Sequence, residues 1–155
     1  MLGPSRAPAA ARLAAALLAA AACAPAAPVF HASPATRALD LPFSDAVEAG
    51  DFVFVSGQIG NAPGSLALVD GGIRAQAAQA LANVRAILAQ SGSGMDRVVK
   101  CTVFLADMGD WPAFNEVYRE AFPDAAARPA RSALGASGLA VGALVELECI
   151  ALRGR

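Results

Sequence analysis

An α+β fold is predicted for this chain: one mixed sheet covered on a single face by two helices. Two observations carry the prediction. Apolar residues recur at helical spacing in two segments only, whereas the other apolar runs are short and alternate or are apolar on both sides. Their order along the chain reads β-β-(β)-α-β-α-β-β, which suits a two-layer sandwich of sheet and helices. With 155 residues there is room for one domain around one core.

Residues 1–27 stand apart from that fold. Arg6 and Arg12 give a positive n-region, and Leu13–Ala22 is an apolar run of h-region length, too short for a comfortable transmembrane helix. This is the layout of a signal peptide or a lipoprotein signal. Cys23 follows Ala20-Ala21-Ala22, which resembles a permissive lipobox, and lipidation there would give the chain a lipid anchor at the membrane. Cleavage after Ala24 or Ala26 is the competing reading. The protein is accordingly expected to be exported, periplasmic or lipid-anchored, and cytoplasmic if the alanine-rich extension is not a functional signal. Residues 28–40 lack periodicity and are expected to form a linker, with the domain over 41–155.

Within the domain, Ala46–Ala49 and Phe52–Ser56 read as two strands around the Gly50-Asp51 turn, a hairpin. Asn61–Ser65 is a loop by its turn residues. Leu81, Val84, Ile87 and Leu88 repeat at helical spacing in Ile73–Gln90, and Ser91–Gly94 ends that helix. Val98–Leu105 alternates as a strand. Asp110 is expected to cap a second helix with Pro112 in its first turn, turning Phe114, Val117, Tyr118 and Phe122 to the core. Ala130–Leu134 and Leu144–Leu152 are the last strands. Phe52, Val53, Phe54 and Val55 leave no polar side on their strand, so the uncovered sheet face is expected to associate with a partner.

Composition excludes some functions. The net charge is −1 and Lys100 is the only lysine, so no basic surface is available to track phosphates, and no nucleic-acid partner is expected. Cys101 and Cys149 lie in strands and form no metal-ligand pattern with His31, which falls in the linker; no metal is expected. The two cysteines read as buried thiols or, in an oxidising compartment, as a disulfide.

Arg131 is the most informative residue. It enters apolar sequence, and no charge follows it until Glu146. A guanidinium there must be paired or must await an anion, because burying it alone is costly. In Leu144–Ile150 the period of two puts Glu146 and Glu148 on one face and Leu147 and Cys149 on the other. If the strands of Arg131 and Glu146 are neighbours, the two side chains line one cavity, either as an ion pair or as a site. Ser56-Gly57, at the end of an apolar strand, and Asn115, on the second helix, are further candidates whose spacing alone is equally that of a strand exit and an exposed amide.

Taken together, Ser56–Ile59, Val98–Leu105, Phe114–Tyr118, Pro129–Ser132 and Val145–Glu148 closely resemble, in order and spacing, the RidA (YjgF) family of reactive-intermediate enamine/imine deaminases. The resemblance covers Leu41 to Leu152. It implies a chorismate-mutase-like fold and a homotrimer with ligand sites in clefts between subunits. It implies that Arg131 binds a substrate carboxylate, that Glu146 positions and activates water, and that Ser56, Gly57 and Asn115 line the pocket. Two positions depart from the family. Phe43 stands where a tyrosine is frequent, and Ala133 where a cysteine is frequent; the latter position acts largely through its backbone.

The reaction so implied is hydrolysis of 2-imino or enamino acids, such as 2-aminoacrylate, to 2-keto acids and ammonia, with no cofactor because an imine is already electrophilic. A non-catalytic trimeric protein that binds small carboxylates or acts as a chaperone is the alternative. An endoribonuclease label borne by some family members finds little basic surface here to support it.

Overall fold

The computed structural model describes residues 26–154. Signal-peptide features and Cys23 therefore lie outside the described residues. The elements are β1 (Val29–His31), α1 (Pro34–Ala38), β2 (Ala46–Ala49), β3 (Phe52–Ile59), α2 (Gly72–Gln90), β4 (Val98–Leu105), α3 (Trp111–Ala121), β5 (Ala130–Gly135) and β6 (Val145–Leu152). They form one six-stranded sheet of order β1-β2-β3-β6-β4-β5. Only β4 and β5 pair in parallel; the remaining neighbours are antiparallel. The fold is α+β with a mixed sheet, as expected.

Both long helices lie on one face. Val53, Val55, Cys101, Val103, Leu105, Val145, Leu147, Cys149 and Ala151 project from the sheet into a core closed by Ala77, Ala80, Leu81, Val84 and Leu88 of α2 and by Phe114 and Tyr118 of α3. The alternation of β6, buried at every second residue from Val145, follows from the period of two. Gly60 lets α2 approach the end of β3, since a methyl there would lie 2.5 Å from Gln76 Cα. Gln76 is buried and accepts a hydrogen bond from Leu144 N at 2.9 Å, so the helix also fixes the entry to β6. The other face is open and keeps Phe52, Phe54, Leu134 and Leu152 about two-fifths exposed.

Three local expectations are corrected. The segment 28–40 is not a structureless linker: it holds β1, which pairs with β2, and α1, capped by Ser33. His31 is thereby part of the sheet, with Nε2 2.6 Å from Glu48 Oε1, while Arg153 Nε reaches the other oxygen of the same buried carboxylate at 2.6 Å. Asp110 makes no side-chain cap to α3; Asp107 instead accepts from Gly109 N one turn earlier. The bracketed third strand is reduced to a single bridge between Asn61 and Leu68.

Cys101 and Cys149 face each other in register on β4 and β6 and form a disulfide, fully inside the core. Of the two readings open in the sequence, the bonded one is found.

Candidate active site

Arg131 sits at the start of β5, where it pairs in register with Cys101 of β4. Cys101 pairs with Cys149, so Arg131 shares the helix-covered face with them. Its guanidinium lies over the Tyr118 ring, 4.5 Å from the centroid, and 5.6 Å from that of Phe114. Nη2 donates to Asn115 Oδ1 at 2.7 Å. Among the described residues Arg131 makes no ion pair. The charge is thus oriented by a neutral amide and two rings, with donors left for an anion. Asn115 and Tyr118 stand three residues apart on α3 and so share a helix face.

Arg131, Asn115 and Tyr118 line a cavity of about 370 Å³ together with Arg119, Arg128 and Pro129. Tyr118 is buried, and its hydroxyl has no hydrogen-bond partner among the described residues. Burial pushes the phenol up to about 12, while the charge of Arg131 pulls the other way. It is therefore a neutral donor throughout the physiological range.

Glu146 lies elsewhere. It pairs with Ile59 of β3 and Phe104 of β4, and it stands three residues from Cys149, so it projects from the open face. β4 separates β5 from β6. The condition under which Arg131 and Glu146 would line one cavity, adjacent strands, is not met: in one chain the two side chains lie on opposite faces of different strands, and they form no ion pair. The parallel β4–α3–β5 crossover decides this, because it carries β5 to the sheet edge beyond β4.

A bulge seats Glu146. Between Val55 and Gln58, β3 gains one residue against β6, at Ser56-Gly57. A methyl on Gly57 would collide with Glu146 Oε1, so the carboxylate occupies the room that a side chain at 57 would take. Glu146, Gly57 and Phe43 line a second cavity of about 510 Å³, which continues past Ile59 and Asn83 to Ile87 of α2. It runs beside the part of β3 that β2 leaves uncovered, since their pairing ends at Ala46 and Val55. Asn83 holds that end of β3, donating to the carbonyls of Ile59 and Asn61 at 3.1 Å.

The remaining candidates are accounted for as follows. Ser56 lines neither cavity; its hydroxyl donates to the Ser44 carbonyl at 2.7 Å and so tethers the segment bearing Phe43. Ala133 pairs with Val103 on β5 and packs against the core. The sequence pattern places Tyr118 in the core and does not single out Arg119 or Arg128. The signal for them was present: residues 115, 118 and 119 share a helix face, and Arg128 and Arg131 flank Pro129-Ala130. No group of acidic, His and Cys side chains able to hold a metal occurs among the described residues.

One mixed sheet of an α+β domain thus carries a carboxylate seated in a glycine bulge on one face and, on the other, an arginine without an ion-pair partner among the described residues. The chain belongs to the RidA (YjgF) family: the model of the family described as Endoribonuclease L-PSP matches residues 33–153. It is similar to the RutC family protein UK114 of Drosophila melanogaster, 46% identical over 113 residues, which cover 73% of this chain and 80% of that protein. It is also similar to a 2-iminobutanoate/2-iminopropanoate deaminase of Mus musculus, 42% identical over 113 residues covering 73% and 82% respectively. Among solved structures, that of yeast Mmf1 superposes with a TM-score of 0.69 at 42% identity, covering 73% of this chain and 88% of that one.

Proposed function

We propose that this protein is a hydrolytic deaminase of reactive 2-imino and enamino acids, such as 2-aminoacrylate, yielding 2-keto acids and ammonia. The observation that carries the reading is Arg131: a guanidinium aligned by Asn115 and stacked on Tyr118, with no acid beside it among the described residues. Such a group binds a carboxylate with little loss of conformational freedom and holds the adjacent C=N carbon in one orientation. Similarity to mammalian deaminases named for 2-iminobutanoate and 2-iminopropanoate supports the same substrate class.

In this reading Glu146 accepts a proton from water as its oxygen adds to the imine carbon and returns that proton to the nitrogen; the resulting carbinolamine passes its hydroxyl proton to the amine, again through Glu146, and the C–N bond breaks to release ammonia and the keto acid. Backbone N–H groups near Gly57 and Ala133 stabilise the developing charge. Because one chain holds Arg131 and Glu146 on opposite faces, the working site combines Arg131 of one copy with Glu146 of another, in a homotrimer assembled through the open apolar face. We also propose that the chain is exported, to the periplasm or a lipid anchor at Cys23; a buried disulfide between Cys101 and Cys149 agrees with an oxidising compartment.

The test is loss of 2-aminoacrylate generated in situ, measured with the mature protein and with Arg131→Ala. Loss of one charge-assisted carboxylate contact is expected to lower kcat/KM by about a hundredfold. Equal rates would remove Arg131 from the reaction. Binding of a 2-keto acid with no imine turnover would favour the alternative, a non-catalytic trimeric carboxylate-binding or chaperone-like protein.

A further inference from the structure

We infer that the cavity under Arg131 is built for two anionic groups, so that among imino acids this protein prefers dicarboxylic ones. The inference rests on the deaminase reading and names its substrate class.

Three guanidiniums, of Arg119, Arg128 and Arg131, line one cavity of about 370 Å³ whose lining includes no carboxylate. Each is held by a neutral oxygen. Arg119 Nε donates to the Asn115 carbonyl at 3.2 Å, Arg128 Nε to the Phe122 carbonyl at 3.3 Å, and Arg131 Nη2 to Asn115 Oδ1 at 2.7 Å. None of them makes an ion pair among the described residues. The acids nearest in sequence do not line the cavity: Glu116 pairs with Arg74 of α2 while also feeling the charge of Arg119, Glu120 is exposed on α3, and Asp124 Oδ1 accepts from Ala126 N at 2.9 Å.

One carboxylate is satisfied by one planar guanidinium through two parallel hydrogen bonds. A monocarboxylic imino acid would use Arg131 and leave Arg119 and Arg128 to solvent, whereas a second carboxylate gives these two exposed guanidiniums a ligand charge to bind.

Tyr118 lines the same cavity and, as a buried phenol that keeps its proton, brings no negative charge to it.

The arrangement is set by short-range geometry. Arg119 follows Asn115 by four residues and adjoins Tyr118 on α3, while Arg128 and Arg131 bracket the Pro129-Ala130 entry to β5. Arg131 is half-buried at the base, whereas Arg119 and Arg128 are exposed. The outer pair therefore faces the more distant end of a bound molecule.

The experiment is calorimetric binding of 2-oxoglutarate and of 2-oxobutanoate to the folded protein, its Arg119→Ala/Arg128→Ala double variant, and Arg85→Ala. The last removes an exposed positive charge of α2 away from the cavity. The parent and Arg85→Ala are expected to prefer the dicarboxylate by about tenfold or more, and the double variant to lose that preference. The preference should shrink as salt is raised. Using the ratio of two affinities cancels any unfolded fraction in a variant.

A parent ratio near one, or an undiminished ratio in the double variant, would overturn the inference. Turnover of 2-iminobutanoate with a ratio near one overturns the dicarboxylate assignment and leaves the deaminase standing. A tenfold preference without turnover of any imine overturns the deaminase and leaves the two-anion cavity standing.

Discussion

At Gly57 the absence of a side chain is what gives Glu146 its position, so the two residues are best understood as one unit. Because the obstructed atoms are the end of a flexible side chain, Gly57→Ala should fold with its melting temperature nearly unchanged while displacing the carboxylate. With Glu146 in its proposed role of general base, the displacement is expected to cost about a hundredfold in kcat, checked by steady-state imine turnover beside a thermal melt. Tyr118 gives a pH prediction. The folded phenol holds its proton up to about 12 and the unfolded one up to the ordinary value of 10.0, so its contribution is complete below pH 10 and is lost as pH rises toward 12. Urea midpoints measured between pH 9 and 12 should fall less steeply for Tyr118→Phe than for the parent. Arg131 was legible as a candidate because the residues after it are uncharged as far as Glu146. The platform of Phe114 and Tyr118 beneath it was not, because aromatic spacing on a helix reads the same whether the rings meet only core or also a cation.

Elements were easiest to recognise where burial imposes a period. The alternation in β6 and the helical repeat in α2 identified those segments, and both bury the residues so marked. β1 and α1 were missed because three and five residues are too few to show a period, and their stability comes from pairing with β2 and from the Ser33, Thr36 and Asp45 hydrogen bonds. Strand order was also hidden. That β4 stands between β5 and β6 depends on where a crossover lands, which no single strand records. Gly60 controls how closely α2 meets β3, and there the obstruction would be helix backbone rather than a side-chain tip. Gly60→Ala is accordingly expected to destabilise the fold by about 2 kcal/mol, in contrast to Gly57→Ala, as measured by urea unfolding.

For the whole molecule, the open face and the divided site lead to one prediction. Phe52, Phe54, Leu134 and Leu152 offer apolar area that a single copy leaves in water. If sites form between copies, Arg131→Ala and Glu146→Gln are each nearly inactive alone, yet unfolding and refolding them together restores activity. Random mixing in a ring gives about a quarter of the sites one intact arginine and one intact glutamate. Recovery near that level, with a trimer mass by light scattering, is the expected result. A mixture as inactive as its components would confine each site to one chain.

Phe114 and Tyr118 close the core between α3 and the sheet, and the same rings carry Arg131. Any substitution that resettles this packing, for instance during adaptation to a new temperature, also moves the guanidinium. Core packing and the placement of this guanidinium thus share the same two side chains.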